Sequence, residues 1–178
     1  GLLVHGLDYD DTHLASVVHC SASAFPAALA LAEHRGLSGA ELLLATLIAI
    51  EVDAMLGTQA GGVFQQVGFH PTGVVGVFGA TVAAARMMGA DSDALVRAQG
   101  VALSLSSGSM AFLDDGSWTK RLHPGWAASA ALQAAARGVS GFHGRGEAYG
   151  GRFGSPALYA PATSVETEAV SSQLFRDW

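Results

Sequence analysis

Cysteine is almost missing from this 178-residue chain, and charge is sparse. Cys20 stands alone, which excludes an internal disulfide and a cysteine-ligated iron–sulfur cluster. Nine lysines and arginines face fifteen acids, for a net charge of −6, and the basic residues form no patch. That balance argues against nucleic acid as a partner, while leaving room for one local positive site. Long hydrophobic runs are missing too. The longest, 42–50 and 73–85, fall short of the roughly 20 residues a membrane span needs, and Glu41, Glu51 and Arg86 close them. No membrane partner is expected, and no signal peptide is visible. Clean two-residue alternation is absent, so strands are not expected. Neither a phosphate-binding GxxxxGK[ST] nor a GxSxG nucleophile elbow occurs, and the glycines of 144–154 do not link a strand to a helix.

What the chain does contain is helix punctuation. Hydrophobic residues make up 50% and charged residues 13%, so its helices must bury most of their surface against one another or against a second subunit. Pro26 opens an Ala/Leu helix that Gly36 closes, and Ser38 with Glu41 is a capping box. The next helix runs through Glu51 to about Leu56, with Gly57 as its stop. Pro71 begins another that ends near Met88, and Asp91, Ser92 and Asp93 offer caps for one through Leu105. Pro124 starts an alanine-rich helix that Gly138 ends. The fold class is therefore all-α, a helical bundle. Residues 1–140 form its core. Eight glycines and prolines crowd the stretch 141–161, so 141–163 reads as a connection, and 164–178 as the start of a further helix or domain.

Two segments carry the chemistry: FHPTG (69–73) and TKRLHPG (119–125) each place a His-Pro step at an expected helix start. His70 and His123 should then sit at helix N-termini, where free N–H groups and the positive dipole end attract anions. Lys120 lies three residues ahead of the second. Facing each other, these ends would form a pocket for a polycarboxylate, with imidazoles placed for proton transfer. A helix N-terminus disfavours imidazolium and keeps His70 available as a base, whereas a bound polyanion pulls the other way. Asp8, Asp10 and Asp11 read first as caps for a helix near Thr12, second as substrate-orienting groups, and third as hard-cation ligands. His13 has capping or packing as its plain reading. His5, His34 and His143 have no context beyond surface or packing.

Taken in order, DYDDTH (8–13), His19, PAALALAEHRGLSGAELL (26–43), GFHPTGVVGVFGATVAAA (68–85) and KRLHPGWAA (120–128) resemble the MmgE/PrpD family over most of the chain. The resemblance implies a helical domain whose α/β lid is absent here. It also implies a cofactor-independent lyase acting on a di- or tricarboxylate of the 2-methylcitrate or cis-aconitate kind. Such an enzyme abstracts a proton next to a carboxylate and expels water or CO2; with no cysteine cluster available, it would do so without iron–sulfur chemistry. An epimerase of a dicarboxylate is the alternative, and a non-catalytic oligomerisation fragment a second one. Active-site positions of the family fall on Asp8, Thr12, His19 and Lys120. With His70 these give His70, His19, Lys120 and Asp8 as expected catalytic residues, and Thr12, His123 and His13 as substrate-binding ones. No metal and no cofactor is expected. A homodimer in the cytoplasm is the expected setting.

Overall fold

The computed structural model describes residues 1–160. Its helices are α1 (Ser21–Arg35), α2 (Gly39–Gln59), α3 (Val63–Gln66), α4 (Pro71–Met87), α5 (Ser92–Leu105), α6 (Phe112–Asp115), α7 (Thr119–Val139) and α8 (Ser155–Tyr159). A single 3-10 turn, Val4–Leu7, precedes them. No sheet forms among the described residues; two isolated bridges, His13–Val18 and Phe69–Ser109, tie loops together. None of the described helices is long and apolar enough to cross a membrane.

Helix α4 is the axis of the bundle, packed by α1, α2, α5 and α7. Of its seventeen residues only Val82 and Arg86 escape burial. A helix apolar on every side can only be central. Its sequence achieves this with small side chains, so neighbouring backbones come close. At Gly79 an added Cβ would overlap the carbonyl of Ala49 and the carboxyl of Asp53, both on α2. Alanines of α1, α4 and α7 complete the core together with Val77, Phe78 and Leu103.

The capping box at α2 forms as expected, with Ser38 accepting from the Glu41 N–H and Glu41 accepting from the Ser38 N–H. Asp91 caps α5 through the Ala94 N–H at 2.7 Å. Two expected starts move. Both α1 and α7 begin five residues before their prolines, at Ser21 and Thr119. Pro26 and Pro124 are the sixth residues of their helices, where each forgoes one bond, to the carbonyl four residues back. The early start of α1 has a clear cause: Asp11 accepts from both the N–H and the hydroxyl of Ser21. Asp11 is therefore a cap, but for a helix ten residues downstream, and no helix begins near Thr12. Gly57 does not stop α2; it lies inside the helix, where Ser16 and Val18 press against it.

Residues 141–160 run back over the bundle. Tyr149 packs on Phe78 and donates its hydroxyl to Gln99, and Tyr159 donates to the Ser106 carbonyl at 3.2 Å. The remainder of the expected connection and the segment 164–178 lie outside the described residues.

Candidate functional site

His70 is the N-cap of α4, and its backbone N–H is fixed on the Gly108 carbonyl at 2.9 Å. The early start of α7 puts His123 at the fifth helical position, not at an N-terminus. That correction changes what His123 faces. Its imidazole turns onto α4, and the two Nδ1 atoms of His70 and His123 lie 3.0 Å apart. Gly73 makes the approach possible, since a Cβ there would sit 2.9 Å from His123 Cβ and 2.6 Å from the Ser107 carbonyl. Phe112 closes the pair on one side, with ring centroids 5.6 Å from His70 and 6.0 Å from His123.

A hydrogen bond between two Nδ1 atoms contains one proton. One ring is therefore the Nδ1–H tautomer with a lone pair at Nε2, and its partner carries Nε2–H. Either assignment gives a complementary pair, one nitrogen able to take a proton and one able to give one. Burial keeps both rings neutral. It pushes His70 down to about 3, helped by the positive charge that His123, His5, Lys120 or His19 would bring near it. His123 is lowered by burial and then by His5.

The other half of the site comes from the N-terminal segment. Asp8, in the left-handed region at φ 52°, reaches across to α7 and accepts from Lys120 Nζ through both oxygens, at 2.7 and 2.8 Å. That bond holds the Asp8 carboxyl below the usual carboxylate range. His19 is fixed by its backbone N–H on Thr72 Oγ1 at 3.1 Å. Its Nδ1 lies 3.4 Å from Thr12 Oγ1 and 3.5 Å from Asp10 Oδ1. Burial is the main cause of its lowered pKa, with His5 adding to it and Asp10 opposing. Val17, a β-branched residue at φ 55°, lines the same cleft and is strained there.

His5, Asp8, His19, His70, Lys120 and Arg121 line one cleft of about 450 Å³, and Thr12 and His123 stand behind its wall, bonded to His19 and His70. The structure thus brings together Asp8, Thr12, His19, His70, Lys120 and His123. It leaves His13 outside, bonded through Nδ1 to Ser16 Oγ at 2.8 Å. His34 and His143 are exposed and away from the cleft. Of the surface-or-packing reading, His5 takes the packing half, and it does so inside the cleft. It is 2% exposed, edge-on to the His19 ring at 4.4 Å, stacked on His70 at 5.7 Å, and bonded through Nδ1 to Asp10 at 2.8 Å. His5 has no local signal in the sequence, because the 3-10 turn at Val4–Leu7 is what folds it back over Asp10.

His5, Asp8, Asp10 and His19 place one ligand atom each within 4.8 Å of one another, close enough to hold a transition-metal ion. In this arrangement the ammonium of Lys120 already holds the Asp8 carboxylate and competes for it.

The MmgE/PrpD N-terminal domain profile matches residues 1–168. The chain is also 34% identical to the cis-aconitate decarboxylase of Homo sapiens over 180 aligned positions, which cover 97% of this chain and 36% of that protein. It spans about a third of the relative's length.

Proposed function

The chain belongs to the MmgE/PrpD family, whose N-terminal domain it matches over nearly its whole length, and from that premise we propose that it supplies the helical half of a lyase active site. The substrate class is a small di- or tricarboxylate. The reaction is proton abstraction beside a carboxylate with loss of water or CO2. One observation supports this above the others: His70, paired with a complementary His123 behind it, lines the same cleft as the Lys120–Asp8 ion pair.

The chemistry follows from those groups. A carboxylate of the substrate shares Lys120 with Asp8, and the ammonium offsets the charge that builds as the C–H bond breaks. Fixed donors aimed at developing charge are usually the largest contribution to such a step. An imidazole lone pair takes the proton, and the C–H electrons form the new double bond. In a dehydration the hydroxyl departs as water, taking its proton from the imidazole that carries Nε2–H. In a decarboxylation of an unsaturated acid the C–CO2 electrons instead form the new double bond as CO2 leaves, and the pair displaced from the existing double bond takes that same proton. Positioned acid–base groups contribute roughly 10²- to 10⁴-fold. Similarity to the human cis-aconitate decarboxylase favours an unsaturated tricarboxylate and the decarboxylation branch. Residues of the intact protein beyond this chain would close the site from the other side.

Product NMR of the intact protein with cis-aconitate, 2-methylcitrate and iminodisuccinate, with and without EDTA, tests the reading. Turnover of one acid, undiminished by EDTA and lost in His70→Ala, is the expected outcome. Neither binding nor turnover of any of them would refute it.

A second reading is a helical assembly module, and one observation favours it: Leu43, Leu44 and Leu47 leave an exposed apolar stripe on α2. Intact dimers that bind none of the acids would support that alternative.

A further inference from the structure

The reading above uses His70, His123, Lys120 and Asp8, and leaves the most deeply buried polar pair of the cleft unexplained. The His5 side chain is fully buried and that of Asp10 is 1% exposed. Burying a carboxylate costs several kcal/mol unless both oxygens are engaged. One oxygen of Asp10 accepts from His5 Nδ1 at 2.8 Å. The other, Oδ1, makes no closed hydrogen bond and points at His19 Nδ1, 3.5 Å away. Since a carboxylate only accepts, His5 must be the Nδ1–H tautomer, and closing the second contact requires the same of His19.

We propose that Asp10, braced by His5, is a positioning residue that holds His19 as the Nδ1–H tautomer, so that His19 Nε2 presents a lone pair to the substrate. This rests on the lyase reading for its chemistry, but its structural content is independent of which acid is turned over. The logic is that of an acid orienting a catalytic imidazole without itself exchanging the proton. His5 adds a second element. Its ring lies edge-on to His19 and stacked on His70, so one buried hydrogen-bonded pair sets the orientation of both imidazoles. Thr12 Oγ1, 3.4 Å from the same His19 nitrogen, lies on the same side of the ring and leaves Nε2 free of it.

Histidine tautomers are read directly by ¹⁵N-histidine NMR of the intact protein. The expected wild-type result is a His19 with protonated Nδ1 and a bare Nε2. In Asp10→Asn, His19 should lose that fixed tautomer, and kcat should fall by about 10²- to 10⁴-fold while KM changes little. Asp10→Glu should restore part of both. The titration of His19 should also move, with Asp8, His5, His70 and Lys120 as the other titratable groups that face it. A wild-type His19 in the Nε2–H form overturns the proposal by itself, even if the Asp10 variants fail to fold. An unchanged tautomer in a folded Asp10→Asn overturns it too. Saturable Zn²⁺ binding by the wild type that vanishes in Asp10→Asn would make the cluster a metal site and also overturn it. Failure of every candidate acid, with the tautomer as expected, would refute the lyase reading and leave the positioning role standing.

Discussion

Gly73→Ala should uncouple the site from the fold's stability. The new Cβ would sit 2.9 Å from His123 Cβ, roughly 0.5 Å inside ordinary contact, and 2.6 Å from the Ser107 carbonyl, roughly 0.8 Å inside. Neither neighbour is the free end of a flexible chain. His123 is anchored in α7, and Ser107 belongs to the loop whose Gly108 carbonyl holds the His70 N–H. Overpacking of this kind costs about 1–3 kcal/mol, and replacing glycine by alanine within a helix returns about 1 kcal/mol. The net loss is about 0–2 kcal/mol. For a domain of this size that lowers Tm by no more than about 8 °C. Chemistry should suffer more. Moving His123 by half an ångström carries its 3.0 Å bond to His70 to the edge of hydrogen-bonding range, and misplacement on the order of 1 Å costs about 10²-fold in rate. Calorimetry, turnover of the active acid and histidine NMR of the Nδ1–Nδ1 contact measure the three quantities on one variant. Wild-type turnover with the His70–His123 contact intact would refute the argument.

Stability should fall in mild acid. His70, His19 and His123 are all depressed below the ordinary imidazole value of 6.5. Their contribution is complete above that value and is lost as pH drops toward the folded value, about 3 for His70. Urea midpoints at pH 7.5 and 5 should therefore differ, with His70→Gln flattening the slope. Lys120→Met should change Tm little, because the pair it breaks is partly exposed and such pairs contribute about 0–1 kcal/mol. Its polycarboxylate affinity, measured by calorimetry, should drop by at least about tenfold. Asp53, buried against the Gly79 N–H with its second oxygen unpartnered, has its carboxyl raised well above the usual range by burial. A raised carboxyl loses stability as pH climbs past the unfolded value. Asp53→Asn should thus stabilise the protein at pH 8 more than at pH 5 in denaturant titrations, and an equal effect at both would contradict the assignment.

Elements with local punctuation were legible in the sequence: the Ser38–Glu41 box, the Pro71 start of α4 and the Asp91 cap of α5. The starts of α1 and α7 were not, because proline marks where a helix tolerates a missing N–H, not where it begins. Asp11 reaches Ser21 across ten residues, a contact no local window contains. The same holds for the site. His-Pro steps and the DYDDTH motif drew attention to residues that do converge on one cleft. His5 escaped, and with it the pairing that buries Asp10, because that pairing depends on a turn in an irregular segment. His123 was noticed for the wrong reason, as a helix-terminal group, when its significance is the contact with His70 that Gly73 permits.

The two halves of the cleft are mounted very differently. His70 and His123 sit on α4 and α7 at the heart of the bundle, whereas His5, Asp8, Asp10 and His19 belong to the first twenty residues, whose only helical element is the turn at Val4–Leu7. Local opening free energies rise with the density of buried contacts and regular hydrogen bonds. The N-terminal segment should therefore open at a lower free energy than the bundle, held at its far end by Val18, Cys20 and the His19–Thr72 bond and over the cleft by the Asp8–Lys120 pair. Measured ligand affinity then equals the intrinsic affinity scaled by the fraction of molecules with that segment docked. Amide exchange in residues 1–20 would report that fraction, and a bound acid would slow it there and nowhere in α4.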